Sequence, residues 1–422
     1  MQNPAQLFAI LFIIALLLGS ALRLWLAVRH ATHVAAHRDA VPAQFAGVIT
    51  LEAHQKAADY TGAKTRFSML GIGLELLIAL ALTFGGGLQA LHETTAAWFE
   101  PGIVRGLALI AAVMLVMTLA DLPLNLYRTF VIEERFGFNK MTPALFWIDF
   151  AKGLLLSAAL GLPLVAAVLW LMERMGEWWW LYAWVTWIAF SLFVQAIAPT
   201  VIMPLFNKFA PLENDSLKER VERLLERCGF KAKGLFVMNG SLRSSHGNAF
   251  FTGFGKSKRI VFFDTLLSRL EPQEVEAVLA HELGHFKLKH VIKRIIWMFA
   301  ASLGFLWLLG VAMKQPWFYS ALGVSEPSTA MALVLFTIVV PAFTLLLQPL
   351  GAVYSRRHEF EADAFAATHT PANDLVSALV KLYKDNAATL TPDPLHSAFY
   401  DSHPPAMLRI AKLQQAPTAQ PA

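Results

Sequence analysis

Seven stretches of about 20 predominantly apolar residues constrain this chain more than any other feature: 7–26, 68–88, 103–122, 145–172, 178–205, 291–312 and 331–353. Inside hydrocarbon the backbone N–H and C=O groups find no water, so such a segment crosses a bilayer only as a helix. The expected fold is mainly α, that of a polytopic membrane protein. Hydrophobic residues make up 56% of the chain and charged residues 15%, a balance that excludes a string of soluble domains. The run 7–26 has no basic segment before it and no small-residue cleavage site after it, so it reads as a retained span rather than a signal peptide.

Orientation follows from the loops. Lys and Arg are concentrated after the first, third and fifth spans and in the C-terminal tail, whereas the other loops offer little beyond Arg174 and Lys314. The positive-inside bias then places the N-terminus outside and the tail in the cytoplasm. The same basic excess accounts for the formal charge of +5. With neither aromatic–basic interleaving nor a Gly-rich phosphate loop, nothing points to nucleic acid as a partner. Trp178, Trp179 and Trp180 sit where the fifth span enters, as an interfacial belt would. Pro163, Pro199, Pro204 and Pro341 predict kinks within spans. The polar stretch between the first two spans reads as a cytoplasmic loop holding a helix within 30–67.

Between the fifth and sixth spans lies a long non-membrane segment, 207–290. Asp215 and Ser216 open an amphipathic helix there, with Ser216 and Glu219 as a capping box and Gly229 as its close. The β-branched and aromatic runs 234–238, 248–254 and 259–263, separated by Gly and Lys-Ser-Lys turns, predict a small sheet. Pro272 and Glu271 then open a helix carrying A-V-L-A-H-E-L-G-H-F, residues 277–286. His281 and His285 lie one turn apart on one face, so both imidazoles reach one metal ion, and Glu282 stands beside it as a base for water. A hydrolytic Zn2+ takes three protein ligands and keeps a fourth position for water. Cys228 is the only cysteine, so the third ligand is a histidine or a carboxylate. Gly284 is expected to leave space on the metal face.

Just after the last span comes S-R-R-H-E-F-E-A-D-A-F-A, 355–366, a helical stretch dense in ionisable groups. Glu359 and Asp363 share a face four residues apart, so one carboxylate can coordinate the metal while the other orients a ligand histidine. Glu359, Glu361 and His358 all compete for the third position, and spacing does not choose among them. Arg356 and Arg357 are candidates to grip a substrate carboxylate. A peptide lying extended beside the metal needs an edge strand, and Asn248, Ala249 and Phe250, just ahead of the metal helix, are the best candidates. The reaction implied is peptide hydrolysis, with a peptide or protein as substrate and the lipid bilayer as surroundings.

These motifs resemble the type I CAAX prenyl proteases, integral-membrane zinc endopeptidases of the gluzincin class that remove a C-terminal tripeptide from prenylated proteins. The likeness is carried by T-F-V-I-E-E-R-F-G-F-N-K at 129–140, N-A-F-F at 248–251, H-E-L-G-H at 281–285, R-R-H-E-F-E-A-D at 356–363 and S-H-P-P at 402–405. It implies Zn2+ held by His281, His285 and Glu359, with Asp363 behind a ligand, and His403 placed to stabilise the tetrahedral intermediate. A histidine N–H there would meet negative charge developing on the carbonyl oxygen. The resemblance also implies seven long helices around a water-filled chamber, closed at the cytoplasmic end by a small α+β zincin-like domain. In these terms 1–206 holds the first five spans with the loop helix, 207–290 the catalytic segment, 291–354 the last two spans and 355–422 the part that completes the zinc site. His246 and His358 are expected at the surface or behind the site. Glu133 and Glu134 acquire no role beyond pairing with nearby basic residues.

The rival within the same chemistry is a quality-control protease for damaged membrane proteins, with no dependence on a prenyl group. A zinc transporter would place its ligands near the membrane midplane, whereas here they stand at span ends. A bacterial inner membrane is the expected location and an ER-type membrane the alternative, since the tail 414–422 shows no ER-retrieval signal.

Overall fold

The computed structural model describes residues 3–231, 234–252 and 259–415. Among the described residues, seven helical runs are long and apolar enough to cross a membrane: Pro4–Ala36, Leu51–Leu82, Ile103–Glu133, Pro143–Arg174, Gly176–Phe206, His290–Ala312 and Thr329–His369. The mainly α, multi-pass architecture expected from the apolar runs is the one the chain adopts. In chain order the elements are α1 (Pro4–Ala36), α2 (Leu51–Leu82), α3 (Gly87–Trp98), α4 (Ile103–Tyr127), α5 (Pro143–Arg174), α6 (Trp179–Ile197), the short α7 (Met203–Phe206), β1 (Phe209–Pro211) and α8 (Asp215–Arg227). Then come β2 (Leu235–Met238), β3 (Ala249–Thr252), β4 (Arg259–Phe263), the short α9 (Asp264–Leu267), α10 (Pro272–Lys287), α11 (His290–Ala312) and α12 (Pro316–Ser320). The chain closes with α13 (Thr329–Thr344), α14 (Gln348–His369), α15 (Ala372–Asp385), α16 (Pro394–Tyr400) and α17 (Ala406–Gln414).

Several boundaries differ from the sequence expectation, each for a physical reason. The loop helix and the second span are one helix: α2 starts at a Thr50 cap, whose side chain accepts from the Ala53 N–H, and runs through Leu82 without a break. Its polar first half buries Ala57 and Tyr60 rather than ending where hydrophobicity begins. The span ends at Leu82, not residue 88, because Gly86 adopts φ +75° and a Cβ on Gly85 or Gly87 would come within 2.8 Å of the Ala81 carbonyl oxygen. Asn214, not Ser216, caps α8, accepting from the Leu217 N–H at 3.0 Å. Gly229 does close that helix, with φ +57°. Trp178 is exposed as a belt residue should be, but Trp179 is only 3% exposed and packs in the apolar core of the spans. The strand expected over 248–254 is described to Thr252, and its Lys-Ser-Lys turn lies outside the described residues.

Two of the four expected kink prolines, and Pro123, which is not among them, stand at or beside altered helical hydrogen bonding. Pro199 lies in a π-helical stretch, Ala198–Ile202, and Pro341 precedes a 3-10 turn, Leu345–Leu347, that joins α13 to α14. Pro123 stands one turn before a second π-helical stretch, Arg128–Glu133. The seventh span therefore does not stop at the membrane boundary. It bends and continues as α14 to His369, carrying its polar end into the catalytic part.

The connections sort to two ends. At one, the Tyr60 hydroxyl donates to Glu133 at 2.7 Å, Arg29 donates to Asp393 at 3.0 Å and Arg243 to Asp149 at 2.8 Å, tying span ends to one another, to the start of α16 and to the loop between β2 and β3. At the other, His92 meets Glu326 at 3.0 Å and Lys314 meets Glu177 at 3.3 Å. The four-stranded sheet, ordered β1-β2-β4-β3, pairs β2 with β4 in parallel and the outer two strands antiparallel. It packs with α8, α10 and α15 around Val221, Leu224, Phe262, Ala277, Leu283 and Leu375. Burying each such side chain contributes about 2 kcal/mol, which makes this core the rigid base on which the site is built.

Candidate metal centre

The centre stands on α10, and the sequence holds that helix firmly. Glu271 and Glu274 form a reciprocal capping box with Pro272 in the first turn. The Glu274 carboxylate also accepts from Ser377 at 2.6 Å and Lys381 at 2.8 Å, docking α15 on the same end. Arg220 and Arg227 of α8 both donate to the buried Glu276. What brings the second half of the site in is Gly284. A Cβ on it would lie 3.0 Å from Ala362 Cα and 3.1 Å from Phe365 Cβ. This glycine therefore does not clear room at the metal face, as the sequence suggests; it allows α14 to approach the backbone of α10.

That approach carries Glu359 to the two histidines. His281 Nε2 and His285 Nε2 are 3.2 Å apart, Glu359 Oε1 is 3.2 Å from His285 Nε2, and Glu359 Oε2 is 3.5 Å from His281 Nε2. Tetrahedral coordination with metal–ligand bonds of about 2.0–2.1 Å sets donor atoms about 3.4 Å apart, so the spacing fits one ion. Glu359 Oε2 is also buried without a hydrogen-bond partner, an arrangement stabilised when a cation takes the free lone pair. The other two candidates face elsewhere. Glu361 accepts from His290 and from Arg357, both at 3.0 Å, and the His358 ring stacks on His290 at 3.9 Å. Glu282, on the same helix, is half-buried; burial raises its carboxyl pKa against the opposing pull of His281 and His285.

Behind the three candidate ligands is a layer the sequence only half reveals. Asp363 Oδ1 lies 2.8 Å from His281 Nδ1, leaving the Nε2 of that ring to face Glu359. Arg409, 5% exposed, clamps Asp363 with two bonds of 2.6 and 2.8 Å and comes within 3.7 Å of Glu359. The sequence gives a signal for it: Ala406, Arg409, Ile410 and Leu413 fall at helical spacing on one buried face, and only the arginine is polar. On the far side, His285 Nδ1 lies 3.0 Å from His290 Nδ1.

The remaining expected residues are placed as follows. His403 presents its ring to the centre, Nε2 3.5 Å from Glu359 Oε1, with the side chain 63% exposed. Arg356 does not offer a free guanidinium to a substrate. Its donors are taken by the carbonyls of Ser397, Ala398 and Asp401, closing the C-terminal end of α16 just before His403. Arg357 is exposed and pairs with Glu361. Asn248 precedes and Ala249 and Phe250 open β3, an edge strand antiparallel to β4, with Ala249 opposite Phe262 and Phe250 opposite Val261. His246 is half-buried: it stacks on Phe138 at 4.4 Å and shares Asn386 with the Gly247 N–H, fixing the start of that strand.

A seven-span helical protein in which His281, His285 and Glu359 converge, with Glu282 next along the same helix, fits the class of membrane-embedded metalloendopeptidases. Residues 30–208 match the family model "CAAX prenyl protease N-terminal, five membrane helices", and 211–416 match "Peptidase family M48". The "CAAX prenyl protease 1 homolog" of Arabidopsis thaliana is 38% identical over 88% of this chain and 89% of its own length. The homologue of Homo sapiens is 34% identical over 89% and 88%. The crystal structure of S. mikatae Ste24p superposes with a TM-score of 0.91 at 29% identity, covering 98% of this chain and 100% of that one. The chain belongs to the CAAX prenyl protease 1 family of M48 metallopeptidases.

Proposed function

We propose that this chain is a zinc-dependent endopeptidase that cuts near the prenylated C-terminus of its substrates. The observation that supports this best is the convergence of His281, His285 and Glu359, two of them on a helix that also carries Glu282. His281, His285 and Glu359 would hold the ion, and imidazole and carboxylate donors suit zinc. When bound, zinc supplies Lewis-acid polarisation of the scissile carbonyl and an acidified attacking water. Glu282 would act as the general base, accepting a proton from the attacking water and passing it to the leaving amine. His403 donates an N–H to the oxygen on which charge develops. The backbone of Asn248, Ala249 and Phe250 pairs antiparallel with the substrate and holds the scissile bond beside the base.

The prenyl preference draws on the spans. A cavity of about 450 Å³ between α1, α2 and α4 is lined by Ile72 and Leu124 as well as Arg23, Glu75 and Arg128. It meets a second, of about 340 Å³, at Tyr400, and the second opens on His403. An apolar tail lying between the spans would thus enter beside the residues that act on its peptide. The positive-inside bias supports an orientation with the N-terminus outside and the centre in the cytoplasm. The test is cleavage of a farnesylated peptide and its unprenylated twin by the full-length protein in detergent. We expect kcat/KM to be at least about tenfold higher for the farnesylated peptide, the worth of burying two methylenes. Equal rates would favour a protease of damaged membrane proteins instead.

A further inference from the structure

His290 belongs to neither the expected ligand set nor the H-E-x-x-H motif, yet it is 4% exposed and touches a ligand histidine. On an uninterrupted helix it would stand about 140° around the axis from His285, facing away. The backbone prevents that. Lys289 adopts the left-handed conformation, φ 59° and ψ 30°, between the end of α10 and the start of α11. A non-glycine residue in that region is strained, and such strain persists where the surroundings enforce it. The turn swings His290 back so that its Nδ1 lies 3.0 Å from His285 Nδ1, and its Nε2 lies 3.0 Å from Glu361 Oε2.

The proton positions follow from this order of contacts. A metal on His285 Nε2 leaves the His285 proton on Nδ1, which donates to His290 Nδ1. His290 then carries its own proton on Nε2 and donates it to Glu361, whose other oxygen accepts from Arg357 at 3.0 Å. We propose that His290, held by Glu361, is the positioning residue that fixes the tautomer and ring plane of His285, as Asp363 does for His281. His290, His358 and Glu361 also lie close enough together to suggest a second ion. Their rings stack at an interplanar angle of 6°, however, and imidazole lone pairs lie in the ring plane, so the two nitrogens cannot converge on one point. The stack instead pins the His290 ring.

The inference rests on zinc at His281, His285 and Glu359, and the experiment separates the two. Zinc affinity of the full-length protein in detergent is measured by chelator competition, with zinc stoichiometry by elemental analysis. His290→Phe keeps the stack and loses both hydrogen bonds, whereas His290→Gln keeps an acceptor for His285 and a donor for Glu361. The parent should bind one zinc. The Phe variant should bind about 10- to 100-fold more weakly, the Gln variant within about threefold of the parent, and the zinc-free melting temperatures should agree. Glu361→Ala leaves the ring and its stack in place and should lower affinity in the same direction, so the inference stays testable if the Phe variant does not fold. Parent-like affinity in His290→Phe and Glu361→Ala would overturn the proposal, as would equal losses in Phe and Gln. Two zinc ions in the parent, reduced to one in His290→Phe, would overturn it in favour of a second metal site. A parent that binds no zinc would overturn the metal reading itself.

Discussion

Glu282→Gln should leave zinc bound at one ion per chain and lower kcat by about 10³-fold, within the 10²- to 10⁴-fold range of general acid–base catalysis. The substitution is nearly isosteric, and the three donor atoms close enough together to share an ion belong to His281, His285 and Glu359, so metal binding should be unchanged. What the amide cannot do is accept a proton. Glu282 has no hydrogen-bond partner among the described contacts that would commit it to a structural role, and its raised carboxyl pKa makes it a better base than an exposed glutamate. Peptide turnover and zinc content measured on one preparation decide the matter. Turnover at the parent rate would remove Glu282 from the mechanism, and loss of zinc would make it a ligand or a support for one.

The second large effect concerns stability. Arg409→Leu should destabilise the protein by about 3–5 kcal/mol, because it strands the Asp363 carboxylate in a buried site without its cation. Asp363 is 3% exposed, and Arg409 supplies two of its three short contacts and the only one from a permanent cation, the third being His281 Nδ1 at 2.8 Å. The same change frees Asp363 to drift from His281, so zinc should bind about 10- to 100-fold more weakly. Arg409→Leu combined with Asp363→Leu should recover most of the lost stability, since a buried pair replaced together by apolar groups is often neutral, but not the zinc affinity. Denaturant unfolding in detergent with chelator competition reads both. A single variant as stable as the parent would show the pair to be incidental.

The membrane architecture was legible because length and hydrophobicity alone decide what a bilayer admits, and the H-E-x-x-H helix was legible because its chemistry is periodic. Spacing could not choose among Glu359, Glu361 and His358, which sit within four residues of one another; only the approach of α14 at Gly284 separates them. Arg409 was missed because its partner Asp363 lies 46 residues earlier, a distance no local pattern spans. His290 was missed because helical periodicity turns it away from His285, and the left-handed Lys289 that turns it back carries no glycine to announce it. Arg356 misled for the opposite reason. Its charge is visible in the sequence, but the three carbonyls that occupy it are not.

The account depends on a carboxylate from the seventh span's extension completing a site begun on α10. Elemental analysis of Glu359→Ala purified beside the parent tests this most directly. One zinc per parent chain and well under one in the variant, with both proteins equally folded, is the predicted result. A full complement of zinc in Glu359→Ala would contradict it, because the third ligand would then have to be another residue.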